Sequence, residues 1–274
     1  MEANPRLKGV VNLYREIFSV QRKMSQRIPD RLPHIEGAQV SARLVDGRLL
    51  LEPGELEVDL GILEEMLRET AGVLKKRSER PPAGLDEFLE RDLDEAGLKE
   101  LVEAYQEGDE ERFRSLVEGQ ALDPAVAFLL LHVSLAPFYW KAVGSLARQA
   151  DLDQVPRGTC PVCGDLPIMG FHRGEDGLRV LECSRCGTRW GVPRMMCPFC
   201  LTTDQKKLHY IFPEKDRSRR AYLCDGCGRY IKIRISPPGK EEEFVVPLED
   251  MATAHLDVAA EEKGYRRGCR TVFS

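Results

Sequence analysis

Four short sequences of one kind lie within residues 159–238: Cys160-Pro-Val-Cys-Gly164, Cys183-Ser-Arg-Cys-Gly187, Cys197-Pro-Phe-Cys-Leu201 and Cys224-Asp-Gly-Cys-Gly228. Each Cys-x-x-Cys pair can present two sulfur atoms to one metal ion from a single tight turn, so four pairs supply the eight ligands of two tetrahedral sites. The pattern therefore predicts two metal ions per chain. The predicted ligands are Cys160, Cys163, Cys183, Cys186, Cys197, Cys200, Cys224 and Cys227.

Predicted hairpins between the cysteine pairs indicate how the pairs combine. Residues 166–172 and 178–182 favour two strands around a turn at 173–177, and residues 207–235 favour a second hairpin followed by a third strand. The order of cysteine pair, hairpin, cysteine pair and strand thus occurs twice. Because neighbouring elements usually pack together, we expect the first two pairs to form one site and the last two the other. A cross-braced arrangement, first pair with third and second with fourth, is the alternative.

A glycine follows three of the pairs, at Gly164, Gly187 and Gly228. Glycine readily adopts the positive φ that such a turn requires, and amides of the turn can then donate hydrogen bonds to the sulfurs. Leu201 occupies the equivalent position after the third pair. We still expect that pair to bind metal, because the repeat predicts it.

Four thiolates around one ion leave no coordination position for water or substrate. Metal-assisted hydrolysis is therefore not expected, and the sequence predicts no catalytic residues and no enzyme. A structural zinc suits such a cage, and so does a redox-active iron, since both accept four sulfurs. A thiol oxidoreductase is a weaker alternative, because that chemistry uses one Cys-x-x-Cys in a βαβ context rather than four pairs among hairpins.

Length and composition limit the class of protein. The chain of 274 residues is long enough for one large domain or two ordinary ones, and eight of its nine cysteines lie between positions 160 and 227. Pro137 and polar residues interrupt the most apolar stretch, 125–143, so we expect no membrane span. The first residues lack the pattern of a secretory signal. We therefore expect a cytoplasmic protein, in which paired cysteines hold metal rather than form disulfides.

The first 150 residues show the three- and four-residue apolar spacing of helices, most clearly at 6–24 and 60–77. A nearly continuous apolar segment at 125–150 follows Asp123-Pro124, a favourable helix start, and Pro137 is expected to kink or split it. Residues 38–51 fit either a short hairpin or irregular chain. Residues 251–259 predict one last helix.

These patterns predict an α+β fold in four parts. An all-α helical domain, 1–156, is followed by a first four-cysteine module, 157–194, and a second, 195–240. A C-terminal extension with a helix, 241–274, completes the chain.

Charge is unevenly distributed along the sequence. The formal net charge is -5, yet residues 205–234 contain nine Lys or Arg residues and three acidic ones, a local charge of +6. Tyr210, Phe212, Tyr222 and Tyr230 lie among them, and cations beside aromatic rings suit nucleic acid. A nucleic-acid-binding zinc-ribbon protein is therefore the alternative function. We favour the other interpretation, in which the rings form the core of a small hairpin and the charges its solvated face.

The cysteine series, with its extensions Cys183-Ser-Arg-Cys-Gly-Thr-Arg-Trp190 and Cys224-Asp-Gly-Cys-Gly-Arg-Tyr-Ile-Lys232, resembles the FdhE family of formate dehydrogenase accessory proteins. The tail Ala252-Thr-Ala-His-Leu-Asp-Val-Ala-Ala-Glu-Glu-Lys-Gly-Tyr265 is also similar to the ending of that family. The resemblance is specific from about position 160 onward.

The resemblance implies a cytoplasmic assembly factor, or chaperone, that is needed to form active formate dehydrogenase and contacts its molybdenum-containing catalytic subunit. It implies a helical domain followed by two rubredoxin-like, that is zinc-ribbon-like, modules whose eight paired cysteines bind iron. Nucleic acid is then not the expected partner, and a homodimer stays open. Leu201 in place of a glycine puts only the geometry of its turn in question.

Overall fold

The computed structural model describes residues 5–29, 37–78, 80–91, 93–118, 122–154, 157–173, 178–235 and 245–269. The chain divides into two compact units, residues 1–34 with 51–144 and residues 35–50 with 145–274. The four-part division expected from the sequence stays a prediction. Its boundary at Pro156 and residues 174–177 of the predicted turn lie outside the described residues.

Helices and strands alternate in blocks along the chain. The helices are α1 (Pro5–Ser25), α2 (Gly37–Val45), α3 (Leu60–Arg77), α4 (Leu85–Glu90), α5 (Glu95–Glu107), α6 (Glu110–Val117), α7 (Pro124–Leu146), α8 (Val246–Ala252) and α9 (Ala254–Glu261). The strands are β1 (Pro167–Arg173), β2 (Leu178–Cys183), β3 (Arg189–Val192), β4 (Leu208–Ile211), β5 (Arg219–Cys224), β6 (Arg229–Ile235) and β7 (Arg266–Arg267). The predicted α+β class is confirmed.

The first unit is built of helices, and aspartates cap the N-termini of α3, α5 and α6. Asp59, Asp94 and Asp109 precede α3, α5 and α6, and each side chain accepts a hydrogen bond from the amide three residues later. Such N-caps satisfy amide groups that the first turn of a helix leaves unpaired. Short polar residues in the sequence therefore fix where these helices begin.

Helix α7 is continuous, and Pro137 does not split it. Proline has no N–H to donate to the carbonyl four residues earlier, which here belongs to Val133. The side chain of Gln21, which is 3% exposed, donates to that carbonyl instead, with Nε2 2.7 Å from the oxygen. A residue of α1 thus supplies the hydrogen bond that the proline removes.

Among the described residues, α7 is the one helix long and apolar enough to cross a bilayer. Yet 61% of its most apolar window is buried inside the protein. That degree of burial is typical of a core helix.

The second unit contains one mixed sheet in the order β3-β2-β1-β6-β5-β4. The strands β1 to β3 and β4 to β6 form two antiparallel sets, as the repeat predicts. Strands β1 and β6 pair in parallel, with Met169 opposite Lys232 and His172 opposite Ile235. This pairing, which the sequence did not predict, joins the two cysteine modules in a single sheet.

Helices α8 and α9 pack on one face of this sheet. Leu256 and Ala260 lie in a core cluster with Ala221, Leu223 and Tyr230. The expectation of a single last helix is wrong. The chain leaves helical geometry at Thr253, whose hydroxyl donates to the Glu249 and Asp250 carbonyls at 2.8 and 3.0 Å.

Residues 37–45 form helix α2, which neither of the two expectations for residues 38–51 included, whereas residues 46–51 are irregular chain. The residues after α2 contact the first cysteine turn. The Leu50 amide donates to the Pro161 carbonyl at 3.1 Å, and the side chain of Leu49 lies where a Cβ on Gly164 would be placed, 3.0 Å away. A segment far away in sequence therefore closes over the first module.

Candidate metal centres

The first cysteine group combines the turn before β1 with the turn after β2. The Sγ atoms of Cys160 and Cys186 are 3.6 Å apart, and Cys163 Sγ is 3.5 Å from Cys183 Sγ and 3.4 Å from Cys186 Sγ. All four side chains are buried. The hydroxyl of Thr188 lies 3.0 Å from the sulfur of Cys186 and adds a polar neighbour.

The second group combines the turn after β3 with the turn after β5. Sulfur separations are 3.8 Å between Cys197 and Cys227 and 3.6 Å between Cys200 and Cys224. Cys200 is exposed and Cys227 half-buried, whereas the other two are buried. The two groups are the sequential ones that the repeat favours, and the cross-braced arrangement is not formed.

Both groups fit a tetrahedral ion. Metal–sulfur bonds of about 2.3 Å at tetrahedral angles place two sulfurs about 3.8 Å apart. The separations in both groups, from 3.4 to 3.8 Å, are close to this value, and all sulfurs of a group lie within 4.8 Å of one another. No disulfide forms, since all nine cysteines are free. The eight paired cysteines are thus positioned to bind two metal ions, and the spacing suits zinc and iron equally.

The four turns share one backbone geometry. The carbonyl of the first cysteine accepts a hydrogen bond from the amide four residues later, donated by Gly164, Gly187, Leu201 and Gly228 at 2.8–3.2 Å. These residues have φ values of 80°, 70°, 60° and 65°. Leu201 is the one non-glycine residue with a positive φ in the described chain. The third turn therefore has the same shape as the others, at the cost of an unfavourable backbone conformation for leucine.

Amides of these turns also point at the sulfurs, as expected. In the second group, the backbone of Phe199 and Cys200 donates to the Cys197 sulfur, and that of Thr202 to the Cys200 sulfur. Such hydrogen bonds stabilise thiolates and orient them toward a metal.

We expect Leu201→Gly to stabilise the second module and Gly228→Ala, at the matching position of the fourth turn, to destabilise it. Replacing leucine by glycine removes the cost of the left-handed conformation, about 1–2 kcal/mol. The unfolded chain gains conformational freedom, which costs about 0.4–1 kcal/mol of stability, so the net gain is about 0.8 kcal/mol. No atom lies within 4 Å of a Cβ on Gly228, so its alanine variant measures the backbone cost alone, about 1 kcal/mol. Thermal unfolding of the metal-loaded variants tests both. A loss of stability in Leu201→Gly would contradict the expectation.

The thiol pKa values within the first group are shifted in opposite directions. Burial raises the pKa values of Cys183 and Cys186 well above the ordinary thiol value, whereas hydrogen bonds from Cys160 and the other two thiols lower that of Cys163. Metal ligation requires thiolates, so uptake of an ion has to release protons from this group.

Two further residues of types that can bind metal, Cys269 and His132, lie outside both groups. Cys269 is 8% exposed, and burial raises the pKa of its thiol to about 12, which makes it an inert packed thiol. In the helical unit, His132 Nδ1 lies 2.7 Å from the Tyr105 hydroxyl, and its ring stacks on Phe128. Its contacts are those of a packed histidine.

The structure draws attention to His172, which carried no signal in the sequence. This residue of β1 is 5% exposed, and neither ring nitrogen has a hydrogen-bond partner among the described residues. Burial and the nearby charges of Arg194, Arg179 and Arg220 lower its pKa from 6.5 to about 3. These arginines are distant from His172 in sequence, and they come close to its ring only when the strands are paired.

His172 is expected to make the second unit sensitive to acid. Its pKa is lower in the folded than in the unfolded chain, so its contribution to stability is complete above about pH 6.5 and is lost as the pH falls toward 3. His172→Phe should therefore flatten the decline of the free energy of unfolding between pH 6.5 and 5. The exposed His255→Gln is the matched control. Chemical denaturation at constant metal content is the measurement, and an unchanged slope in His172→Phe would contradict the assignment.

Known proteins are similar to this chain in sequence and in fold. Residues 159–194 match the family model described as "FdhE, central domain". The chain is 30% identical over 229 residues to the "Protein FdhE homolog" of Pectobacterium atrosepticum, covering 75% of this chain and 73% of that protein. It is 34% identical over 152 residues to "Protein FdhE" of Escherichia coli O1:K1, covering 50% of this chain and 47% of that one.

The crystal structure of the FdhE protein from Pseudomonas aeruginosa superposes with a TM-score of 0.61 at 22% identity, covering 93% of this chain and 85% of that one. This similarity shows a shared fold. The Pectobacterium relative is similar over nearly three quarters of its length. The chain therefore belongs to the FdhE family.

Proposed function

We propose that the chain is a metal-binding accessory protein required to form active formate dehydrogenase, and that it acts by binding the catalytic subunit of that enzyme in the cytoplasm. Family membership supports the accessory role. The observation that carries the proposal is the pair of closed four-cysteine cages, because a tetrahedral ion held by four sulfurs has no position left for a substrate. A factor that binds its client and has no turnover of its own fits this geometry.

In this proposal the eight paired cysteines are the ligands of two ions, iron or zinc. Each ion, when bound, neutralises thiolate charge and cross-links the two turns of its module. The chain itself supplies the rest. Turn amides orient the sulfurs, and the shared sheet holds the two modules together.

Co-purification tests the proposed partner. The tagged, metal-loaded chain is expected to retain the catalytic subunit of formate dehydrogenase from the same organism on an affinity column. The double variant Cys197→Ser/Cys200→Ser, which loses the second cage, should retain less, whereas Cys269→Ser, a change of a buried thiol outside both cages, should retain as much as the wild type. Failure of the metal-loaded wild-type chain to retain the subunit would overturn the proposed partner.

The two alternative functions, nucleic-acid binding and thiol oxidoreduction, would give different results with the same purified protein. Salt-sensitive binding of single-stranded or duplex DNA would favour the nucleic-acid-binding zinc ribbon, because phosphate contacts weaken as salt rises. Disulfide reductase activity that disappears when one cysteine pair is mutated would favour a thiol oxidoreductase.

A further inference from the structure

The face of the sheet turned away from α8 and α9 contains a pocket of about 430 Å³. Alternation along β5 places Ala221 and Leu223 toward the helices and Arg220 and Tyr222 toward the pocket. Residues 194–199, which lead from β3 to the third cysteine turn, line the other side. A pocket of this volume is within the range of small-molecule sites.

Arg179 of β2 forms the inner end of this pocket and is 3% exposed. Its guanidinium donates to the Met196 carbonyl at 2.9 Å and to the Arg194 carbonyl, and lies 4.8 Å from the centre of the Tyr222 ring. Its buried Nε–H has no hydrogen-bond partner among the described residues. Leaving a buried charged donor unsatisfied is costly, so the group indicates a missing acceptor.

The arginines on the two faces of the sheet differ in their partners. Toward the helices, Arg219 and Arg234 both form ion pairs with Glu249, at 2.7 and 2.9 Å. Toward the pocket, none of Arg179, Arg194 and Arg220 has a carboxylate within 4 Å in the described parts of the chain. Carboxylates thus balance the positive charge on one face. On the other face no carboxylate of the described residues is close to these three guanidinium groups, and the negative groups beside them are the sulfurs of Cys197 and Cys224, which line the pocket.

Aromatic rings border the same positive charges. The guanidinium of Arg220 lies 4.7 Å from the centre of the Tyr210 ring, and Tyr210 faces Tyr222 across β4 and β5 at 5.6 Å. Tyr210 is 50% exposed. The expectation that these rings form the core of a hairpin holds for Tyr230, which is 1% exposed, but not for Tyr210. Exposed rings beside guanidinium groups provide stacking surfaces for a flat ligand.

We propose that this pocket binds a small organic phosphate with a flat heteroaromatic ring, the chemistry of a mononucleotide. The guanidinium groups of Arg179, Arg194 and Arg220 take the phosphate, since arginine matches phosphate geometry through paired N–H donors. The ring lies against Tyr210 and Tyr222, under the apolar side chains of Met195 and Met196. This inference goes beyond the proposed accessory role, which requires no small ligand.

Isothermal titration of the metal-loaded full-length chain tests the site, with AMP, GMP and FMN as probes and adenosine and inorganic phosphate as their separate parts. At least one nucleotide is expected to bind more tightly than either part. Replacing Arg194 or Arg220 by glutamine removes charged hydrogen bonds and should weaken that nucleotide on the order of ten-fold or more. Arg217→Gln is the matched control, because its guanidinium stacks on Phe212 at 5.4 Å and does not line the pocket.

Several results would overturn the site. The first is no binding by any of the three nucleotides at millimolar concentration, and the second is equal affinity for a nucleotide and for inorganic phosphate. The third is equal weakening by Arg217→Gln and Arg220→Gln, which would indicate diffuse surface charge. If the wild type binds no nucleotide and the variants Arg194→Gln and Arg220→Gln lose metal, these arginines instead balance the negative charge of the neighbouring cysteine cage. If a single-stranded oligonucleotide binds much more tightly than the mononucleotides, and its affinity falls steeply with salt, the ligand of this site is nucleic acid and not a small molecule.

Discussion

A chelator should remove one of the two metal ions well before the other. A competing ligand has to reach a sulfur, and the four sulfurs of the first group are all buried, whereas Cys200 is exposed and Cys227 half-buried in the second. Loss of the metal ion from the first group requires that the module opens locally. Within one protein the free energy of such local opening ranges from near zero to the free energy of global unfolding. We expect two phases of release with rates that differ on the order of ten-fold or more, because each 1.4 kcal/mol of opening contributes a factor of ten.

Release of zinc or iron into a colorimetric chelator measures both phases, and elemental analysis beforehand should give two ions per chain. Cys200→Ser is expected to abolish the fast phase and leave the slow one. Cys163→Ser should remove the slow one, and Cys269→Ser should change neither. A single phase that releases both ions at the same rate would contradict the link between sulfur exposure and lability.

The second large effect is expected at Lys232, which is buried against the C-terminal helices. Its Nζ lies 2.7 Å from Asp250 Oδ1 and 2.6 Å from Asp257 Oδ2, and Arg267 pairs with the same two carboxylates. Lys232→Met leaves the buried carboxylate of Asp250 and the half-buried carboxylate of Asp257 with one cation. Breaking a buried ionic cluster in this way costs about 3–5 kcal/mol, because the remaining charge is uncompensated.

The denaturant unfolding transition of the unit that contains each substitution measures the loss of stability, and hydrogen exchange of α8 and α9 shows whether these helices detach in Lys232→Met. The control is Lys23→Met, which removes an ion pair whose side chains are 59% and 31% exposed and should cost less than about 1 kcal/mol. Adding Asp257→Asn to Lys232→Met should recover part of the stability, since it removes the unpaired charge. Equal losses for Lys232→Met and Lys23→Met would show that the cluster is not a stabilising unit.

The grouping of the eight cysteines into two sets of four could be predicted because the information for it is local. Each cysteine pair, its turn glycine and the neighbouring hairpin lie within a few residues of one another, and the repeat supplies the grouping. Even Leu201 follows this rule, since the shape of its turn is dictated by the two cysteines before it.

Features that depend on distant contacts were missed. Residues 38–51 gave no clear pattern, since the contacts of this segment with the first cysteine turn lie over a hundred positions away. Pro137 looked like a helix break because the compensating donor, Gln21, is on another helix. His172 gave no signal because the arginines whose charges act on it come from two other strands and from the segment after β3. Periodicity and propensity report on neighbours in sequence, and these contacts are made by tertiary packing.

The parallel pairing of β1 with β6 sets an order of events during synthesis. Met169 leaves the ribosome long before Lys232, its partner in the sheet, so β1 has an open edge while the chain is still growing. An open strand edge is a template for pairing with other chains. The nascent first module therefore passes through a period in which it is exposed to mispairing, and that period ends only when the second module has been translated and has folded beside it.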